Sequence, residues 1–139
     1  MKSRPPWWFY HQSGVIPYRV VHEEVEILLI TSRRGKRWVI PKGVIDPGSS
    51  ASASAAREAY EEAGIRGRLS DSAVGEYRYK KWGGTCTVKV FIMEVQSVLE
   101  EWPEASNRRR EWLTVKDASE TVKEPELQRL ILQVPEMKF

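Results

Sequence analysis

Apolar positions change rhythm along this chain, and each change predicts a different element. From Gly14 to Val21, "GVIPYRVV" reads as a short strand broken by Pro17, which suggests a sheet edge or a bulge, because proline has no N–H to give a ladder. "EEVEILLITS" starts in alternation and becomes continuously apolar from Ile27 to Ile30, as a strand covered on both faces would. "RRGKR" is a turn, and "WVIPKG" a strand leading into a loop. From about Ser50 to Ala63 the spacing predicts a helix. Serines at its start can cap free amides, alanines favour helix, and Gly64 is placed to end it in the left-handed conformation. Beyond it, "IRGRLSDSAVGEYRYKKWGGTCTVKVFIMEV" supplies two or three strands, with a hairpin turn at Gly83-Gly84. "EWPEASNRRREWLTV" is a loop feeding another short strand, and the tail from Asp117 to Val134 is helical in two pieces, restarted at Pro125. The order β, β, α, β, β, β, α predicts an α/β layered domain with a mixed sheet.

Length and composition narrow the class. The 139 residues suit one domain, 1–139, with residues 1–12 as an aromatic N-terminal extension. Apolar residues at 41% and charged residues at 29% fit a soluble globular chain, and Ile27–Ile30 is far too short to cross a bilayer. "MKSRPPWWFY" carries two prolines where a secretory signal needs an apolar helix, so the cytoplasm is the expected location and no membrane partner is expected. The single cysteine, Cys86, lies inside "TCTVKVFIMEV" and reads as a small core residue rather than a nucleophile. Trp38 and Trp112 read as core. Trp7, Trp8, Phe9 and Tyr10 pack on the domain surface or against a partner in a homodimer, or else stack on a base. The net charge of +3 is concentrated at "RRGKR" and at Arg108–Arg110, which suits an anionic ligand such as polyphosphate.

Candidate chemistry lies on the predicted helix. At about 100° per residue, Glu58 and Glu62 stand one turn apart on one face, and Glu61, a step further round, can reach the same point. Three acids near a helix C-terminus oppose its dipole and repel one another, so something positive should compensate. Arg57 can orient one carboxylate. The remaining charge suits Mg²⁺, a hard cation that bridges carboxylates to substrate phosphates. Gly43, Pro47 and Gly48 form a tight, side-chain-poor turn that sets where the helix begins.

Gly43, then position 49, then Arg57-Glu58, Glu61-Glu62 and Gly64-Ile65 stand at spacings that resemble the signature of the Nudix hydrolases. The resemblance implies a Nudix fold, a mixed sheet between helices, and Mg²⁺- or Mn²⁺-dependent hydrolysis of a phosphoanhydride in a small molecule. Glu58, Glu61 and Glu62 would then be metal ligands, Glu58 also a general base, Arg57 an orienting residue and Gly43 the residue that holds the loop. "SGVIPYR", "EILLITSRRGKRWVIPKG" and "RRREWLTVKDA" are similar to the subgroup acting on diphosphoinositol and diadenosine polyphosphates. Arg19, Lys42, Arg33, Arg37 and Arg110 are the expected substrate contacts, and Glu76, Glu101 or Glu104 could supply a fourth carboxylate. The chain departs from the signature at Ser49, where the family has glutamate, and Asp46 stands three residues earlier as a partial substitute. That departure leaves a non-cleaving binding domain as one alternative. An RNA 5′ pyrophosphohydrolase is another, although a nucleic-acid partner is not expected.

Overall fold

The computed structural model describes residues 4–139, and within them eight strands form one mixed sheet. Met1 to Ser3, part of the N-terminal extension, lie outside the described residues. A 3₁₀ turn, Trp7–Tyr10, leads into β1 (His11–Val21), β2 (Glu24–Thr31), the short β3 (Trp38–Val39) and β4 (Lys42–Val44), and then helix α1 (Ala51–Ala63). Strands β5 (Ile65–Leu69), β6 (Gly75–Lys81), β7 (Gly84–Val98) and β8 (Arg110–Thr114) follow, and then helices α2 (Val115–Thr121) and α3 (Pro125–Met137). The sheet runs β3-β2-β1-β7-β5, with β4 on β1, β6 on β7 and β8 on β2. β1 and β7 are parallel; the other pairs are antiparallel.

Helices cover both faces of the sheet, which explains the unbroken apolar runs. Val15, Leu28, Ile30, Phe91 and Met93 pack against α1; Ile16, Ile27, Leu29, Val88 and Ile92 share the opposite core with α2 and α3. Successive side chains on a strand point to opposite faces, so a strand between two helical layers has no polar side to show. On α1 the buried residues Ala55, Ala59 and Ala63 recur every fourth position, and their small side chains let the helix backbone lie close to the sheet. On α3, Leu127, Leu130, Ile131 and Val134 form the wider apolar stripe of an ordinary covering helix.

The ends of α1 follow the expected rules. Ser50 accepts a hydrogen bond from the Ala53 amide at 3.1 Å, and Gly64 closes the helix at φ +64°. A Cβ at Gly64 would also run into the Trp102 ring, so the position excludes other residues on two grounds.

Three expectations need correction. Pro17 marks no edge: β1 is interior, with β7 on one side and, on the other, β4 along Gln12–Gly14 and then β2 along Tyr18–Val21. Pro17 falls between those two antiparallel ladders, so its missing N–H breaks neither. The hairpin turn consists of Trp82 and Gly83, one residue earlier than read, with φ of +55° and +70° and Lys81 opposite Gly84. "WVIPKG" is not one strand. It divides at Ile40-Pro41 because β3 pairs with β2 whereas β4 pairs with β1. Cys86 is buried as expected, whereas Trp38 and Trp112 are half-buried at the margins of the two cores.

Candidate active site

Pairing of β4 with β1, which sets Gly43 opposite Ser13, brings the Gly43 backbone against the side chain of Glu58 on α1. A Cβ at Gly43 would stand 2.5 Å from both Glu58 carboxylate oxygens, so the absence of a side chain there is what leaves room for the carboxylate. One turn later, Glu62 accepts the Lys42 backbone N–H at 3.1 Å and pairs with Arg108 at 3.2 Å. Arg108 is itself buried. It bonds Glu104 at 3.0 Å and donates to the Thr31 carbonyl at 2.9 Å, which ties the end of β2 to the helix.

Burial and repulsion set the electrostatics. Desolvation, reinforced by the charges of Glu62 and Glu61, pushes Glu58 up to about 8, and Arg57 offsets only part of this. Glu62 is raised to about 7, again by burial, which outweighs the favourable field of Arg108 and the Lys42 amide. Glu58 has no ion-pair partner among the described residues, so this pair of acids is under-neutralised.

These acids line a cleft of about 660 Å³ together with six cationic residues: Arg33, Arg37, Lys42, Lys80, Lys81 and Arg108. Phe9 and Trp82 add one aromatic side. Deep in the cleft the Lys42 ammonium donates to the Tyr79 hydroxyl at 3.0 Å, which donates to Gln12 Oε1 at 2.8 Å. Burial lowers the Lys42 pKa, with Glu62 pulling the other way. The chain of bonds fixes the lysine's position.

Of the expected substrate contacts, Lys42, Arg33 and Arg37 line the cleft, and Arg19 and Arg110 do not. Arg19 pairs with Glu26 at 2.7 Å and lies over the Trp112 ring. Arg110 donates to the Ala63 and Leu99 carbonyls at 3.0 and 2.8 Å and stacks on Trp102, so it closes the C-terminal end of α1. Glu61, 40% exposed, is 4.0 Å from Arg57 and stands outside the cleft walls that Glu58 and Glu62 form. Arg57 makes its shorter contact, 2.8 Å, to Asp46, which fastens α1 to the preceding turn. Ser49 is exposed in that turn and its amide bonds the Asp46 carbonyl at 3.0 Å, beside Gly48 at φ +86°.

Among the described residues, no three acidic, histidine or cysteine side chains already surround one point. Glu62 is held by Arg108 and Glu61 is drawn toward Arg57, so the three carboxylates of α1 are close but not converged. Of the further acids considered, Glu104 joins the site through Arg108, Glu76 pairs with Arg78 away from it, and Glu101 is exposed. Lys80, Lys81, Tyr79 and Gln12 also line the cleft, beyond the residues expected from the sequence. The basic pair before a Trp-Gly turn in "YKKWGG" was the available signal.

A model of the NUDIX domain matches residues 11–134. Nudix hydrolase 12, mitochondrial, of Arabidopsis thaliana is 32% identical over an alignment 140 positions long, gaps included, that covers 86% of this chain and 69% of that protein. Diphosphoinositol polyphosphate phosphohydrolase 3-alpha of Mus musculus is 31% identical over 127 residues, 85% of this chain and 76% of that one. A crystal structure of C. elegans Ap4A hydrolase shares the fold at a TM-score of 0.73 with 24% identity, covering 91% of this chain and 96% of the other. The chain belongs to the Nudix family, as the signature from Gly43 to Ile65 implied. No helix among the described residues is long and apolar enough to cross a membrane.

Proposed function

We propose that this chain hydrolyses a phosphoanhydride bond in a polyphosphorylated small molecule of the diadenosine or diphosphoinositol polyphosphate type. One observation carries the reading: Glu58, given its space by Gly43, has no ion-pair partner among the described residues and shares its cleft with six cationic side chains. The raised proton affinities of Glu58 and Glu62 and their oxygen-only donor set fit a hard divalent cation, Mg²⁺ or Mn²⁺, with Glu61 as the third ligand on α1. When bound, the cation would neutralise charge on the phosphoanhydride and make water more acidic.

The chain's own residues would do the rest. Glu58, whose carboxylate faces the cleft beside Gly43, would take a proton from the attacking water. Glu62 is held in orientation by the Lys42 amide and Arg108. Lys42, Arg33, Arg37, Lys80 and Lys81 hold the phosphates that are not cleaved. Arg57 positions α1 through Asp46, whose carboxylate stands in for the one missing at Ser49. The exposed place of Ser49, away from the cleft walls, argues against a domain that only binds.

The whole chain is read as one domain acting in the cytoplasm. Cell fractionation tests the location, against which the word mitochondrial in the Arabidopsis relatives' names weighs. Sedimentation tests the homodimer. The activity is tested by phosphate or nucleotide release from diadenosine polyphosphates, nucleoside triphosphates, sugar nucleotides and a diphosphoinositol polyphosphate, with Mg²⁺, Mn²⁺ or EDTA. Cation-dependent release from one class supports the reading; no release from any class by folded protein overturns it.

A further inference from the structure

Two hydroxyls in the interior lack partners. Ser13 on β1 and Ser54 on α1 are fully buried, and neither Oγ makes a hydrogen bond among the described residues. A buried hydroxyl without a bond is destabilising, so native structures rarely keep one unless water or function uses it. Alanine would fill either place without that penalty, as Ala55 and Ala59 do on the same helix. A serine inside a helix often turns its hydroxyl back to the carbonyl four residues earlier. Here the Ser50 carbonyl takes the Ser54 amide at 3.0 Å, and the hydroxyl stays free.

Register sets both hydroxyls beside Glu58. Ser13 is the cross-strand partner of Gly43, and opposed residues project on the same face of a sheet with their Cβ positions about 4.5–5.5 Å apart. That face is the one under α1, because Val15, two residues further along β1, packs there. Gly43 in turn lies against the Glu58 carboxylate. Ser54 stands one helical turn before Glu58 on the same side of α1, about 5–6 Å away. Both serines are absent from the lining of the cleft, so they approach Glu58 from the interior while its carboxylate faces the ligand. Two hydroxyls and a carboxylate without an ion pair therefore meet between β1, β4 and α1. An enclosed place with two to four polar partners is what a buried water requires.

We propose that Ser13 and Ser54 are positioning residues whose hydroxyls bind one buried water, which donates to the inner side of the Glu58 carboxylate and holds it toward the cleft. The inference rests on the reading of Glu58 as a metal ligand and adds what orients it. Hydrogen-bond partners behind a ligand are worth about 10- to 100-fold in metal affinity or activity.

Wild type, Ser13→Ala, Ser54→Ala and the control Ser119→Ala test this by crystallography, by thermal unfolding in EDTA and by calorimetric titration of Mn²⁺ without substrate. Ser119 is also buried, but its hydroxyl donates to the Gln128 carbonyl at 3.0 Å, between α2 and α3 on the other face of the sheet. A high-resolution structure of wild type should show water within hydrogen-bond reach of both serine oxygens and of Glu58. All three variants should unfold roughly 3–8 °C lower, since each removes a hydroxyl that has a partner. Mn²⁺ binding should weaken about tenfold in Ser13→Ala and Ser54→Ala and stay within about twofold of wild type in Ser119→Ala. If the two hydroxyls are dry, alanine leaves the Tm unchanged or raises it, and that result overturns the proposal. So does Mn²⁺ affinity that is unchanged in both variants, or that falls equally in Ser119→Ala. Protein that binds Mn²⁺ in this pattern yet cleaves nothing leaves the water site standing and removes the hydrolase reading. Cleavage by wild type, with Mn²⁺ affinity indifferent to both serines, does the reverse.

Discussion

Gly43→Ala isolates the contact on which the site depends. Gly43 has no positive φ, so its backbone accepts alanine without strain. The new methyl carbon would lie 2.5 Å from both Glu58 oxygens, where ordinary contact begins at 3.4 Å. Something must move by about 1 Å, and the softest object is the carboxylate at the end of a flexible side chain, not the β4 ladder. Misplacement of a reacting group by about 1 Å costs on the order of 100-fold in rate, or about 2.7 kcal/mol of transition-state stabilisation. Stability should barely change. Alanine lowers the entropy of the unfolded chain by about 0.4–1 kcal/mol, and an off-rotamer Glu58 costs about the same. The assay is kcat/KM on the best substrate of the release panel, beside a thermal unfolding curve. A variant within threefold of wild type would show that the Glu58 carboxylate needs no such placement. A Tm lowered by more than about 5 °C would mean that the methyl had displaced backbone rather than the carboxylate. Gly48→Ala should behave oppositely: its methyl meets open space, but φ of +86° makes it cost about 1–2 kcal/mol of stability.

The other predictions concern the supports of the site. Asp46→Ala should lower kcat/KM roughly tenfold by releasing Arg57, with a stability loss below about 1 kcal/mol because the pair is exposed, and Ser49→Glu added to it should restore most of the activity. Arg110→Met should lower stability by about 1–3 kcal/mol, seen in denaturant unfolding, since the Ala63 and Leu99 carbonyls lose their donor, while KM for substrate stays unchanged. For metal-free protein, Glu58 binds its proton more tightly folded, at about 8, than unfolded, near 4.5. Its stabilising contribution is complete below pH 4.5 and is lost as pH rises to 8. The Tm in EDTA should therefore fall across that window, and the gain in Tm from Mg²⁺ should grow across it and level off above pH 8. A Mg²⁺ effect that is flat with pH would contradict this.

Local chemistry was the legible part of the sequence. Serine at the start of α1, alanine along its inner face and glycine at its end mark the helix by mechanism. Period-four glutamates put Glu58 and Glu62 on one face without any knowledge of the sheet. What could not be read was where distant segments meet. Arg110 and Arg108 are two residues apart in one basic run, yet one caps α1 and the other brackets Glu62. Residues two apart on an extended chain share a side, so both reach the last turn of α1, and nothing local says which meets the carboxylate and which the carbonyls. Pro17 was misplaced for a similar reason: only the tertiary switch from β4 to β2 makes an interior proline harmless. The aromatic wall unites Phe9 and Trp82, 73 positions apart, through the β6–β7 hairpin. Arg57 chose Asp46 over Glu61 because the turn brings Asp46 closer, a distance that spacing along the chain does not encode.

Whether the carboxylate beside Gly43 takes part in hydrolysis is decided by product release, with and without Mg²⁺, from wild type and from Glu58→Gln, which keeps shape and removes charge. Wild type should turn over substrate with Mg²⁺ and not in EDTA, and the variant should lose about 10²- to 10⁴-fold while unfolding at the same or a higher temperature. Turnover by Glu58→Gln at the wild-type rate would contradict this, because the buried carboxylate beside Gly43 would then have no part in the reaction.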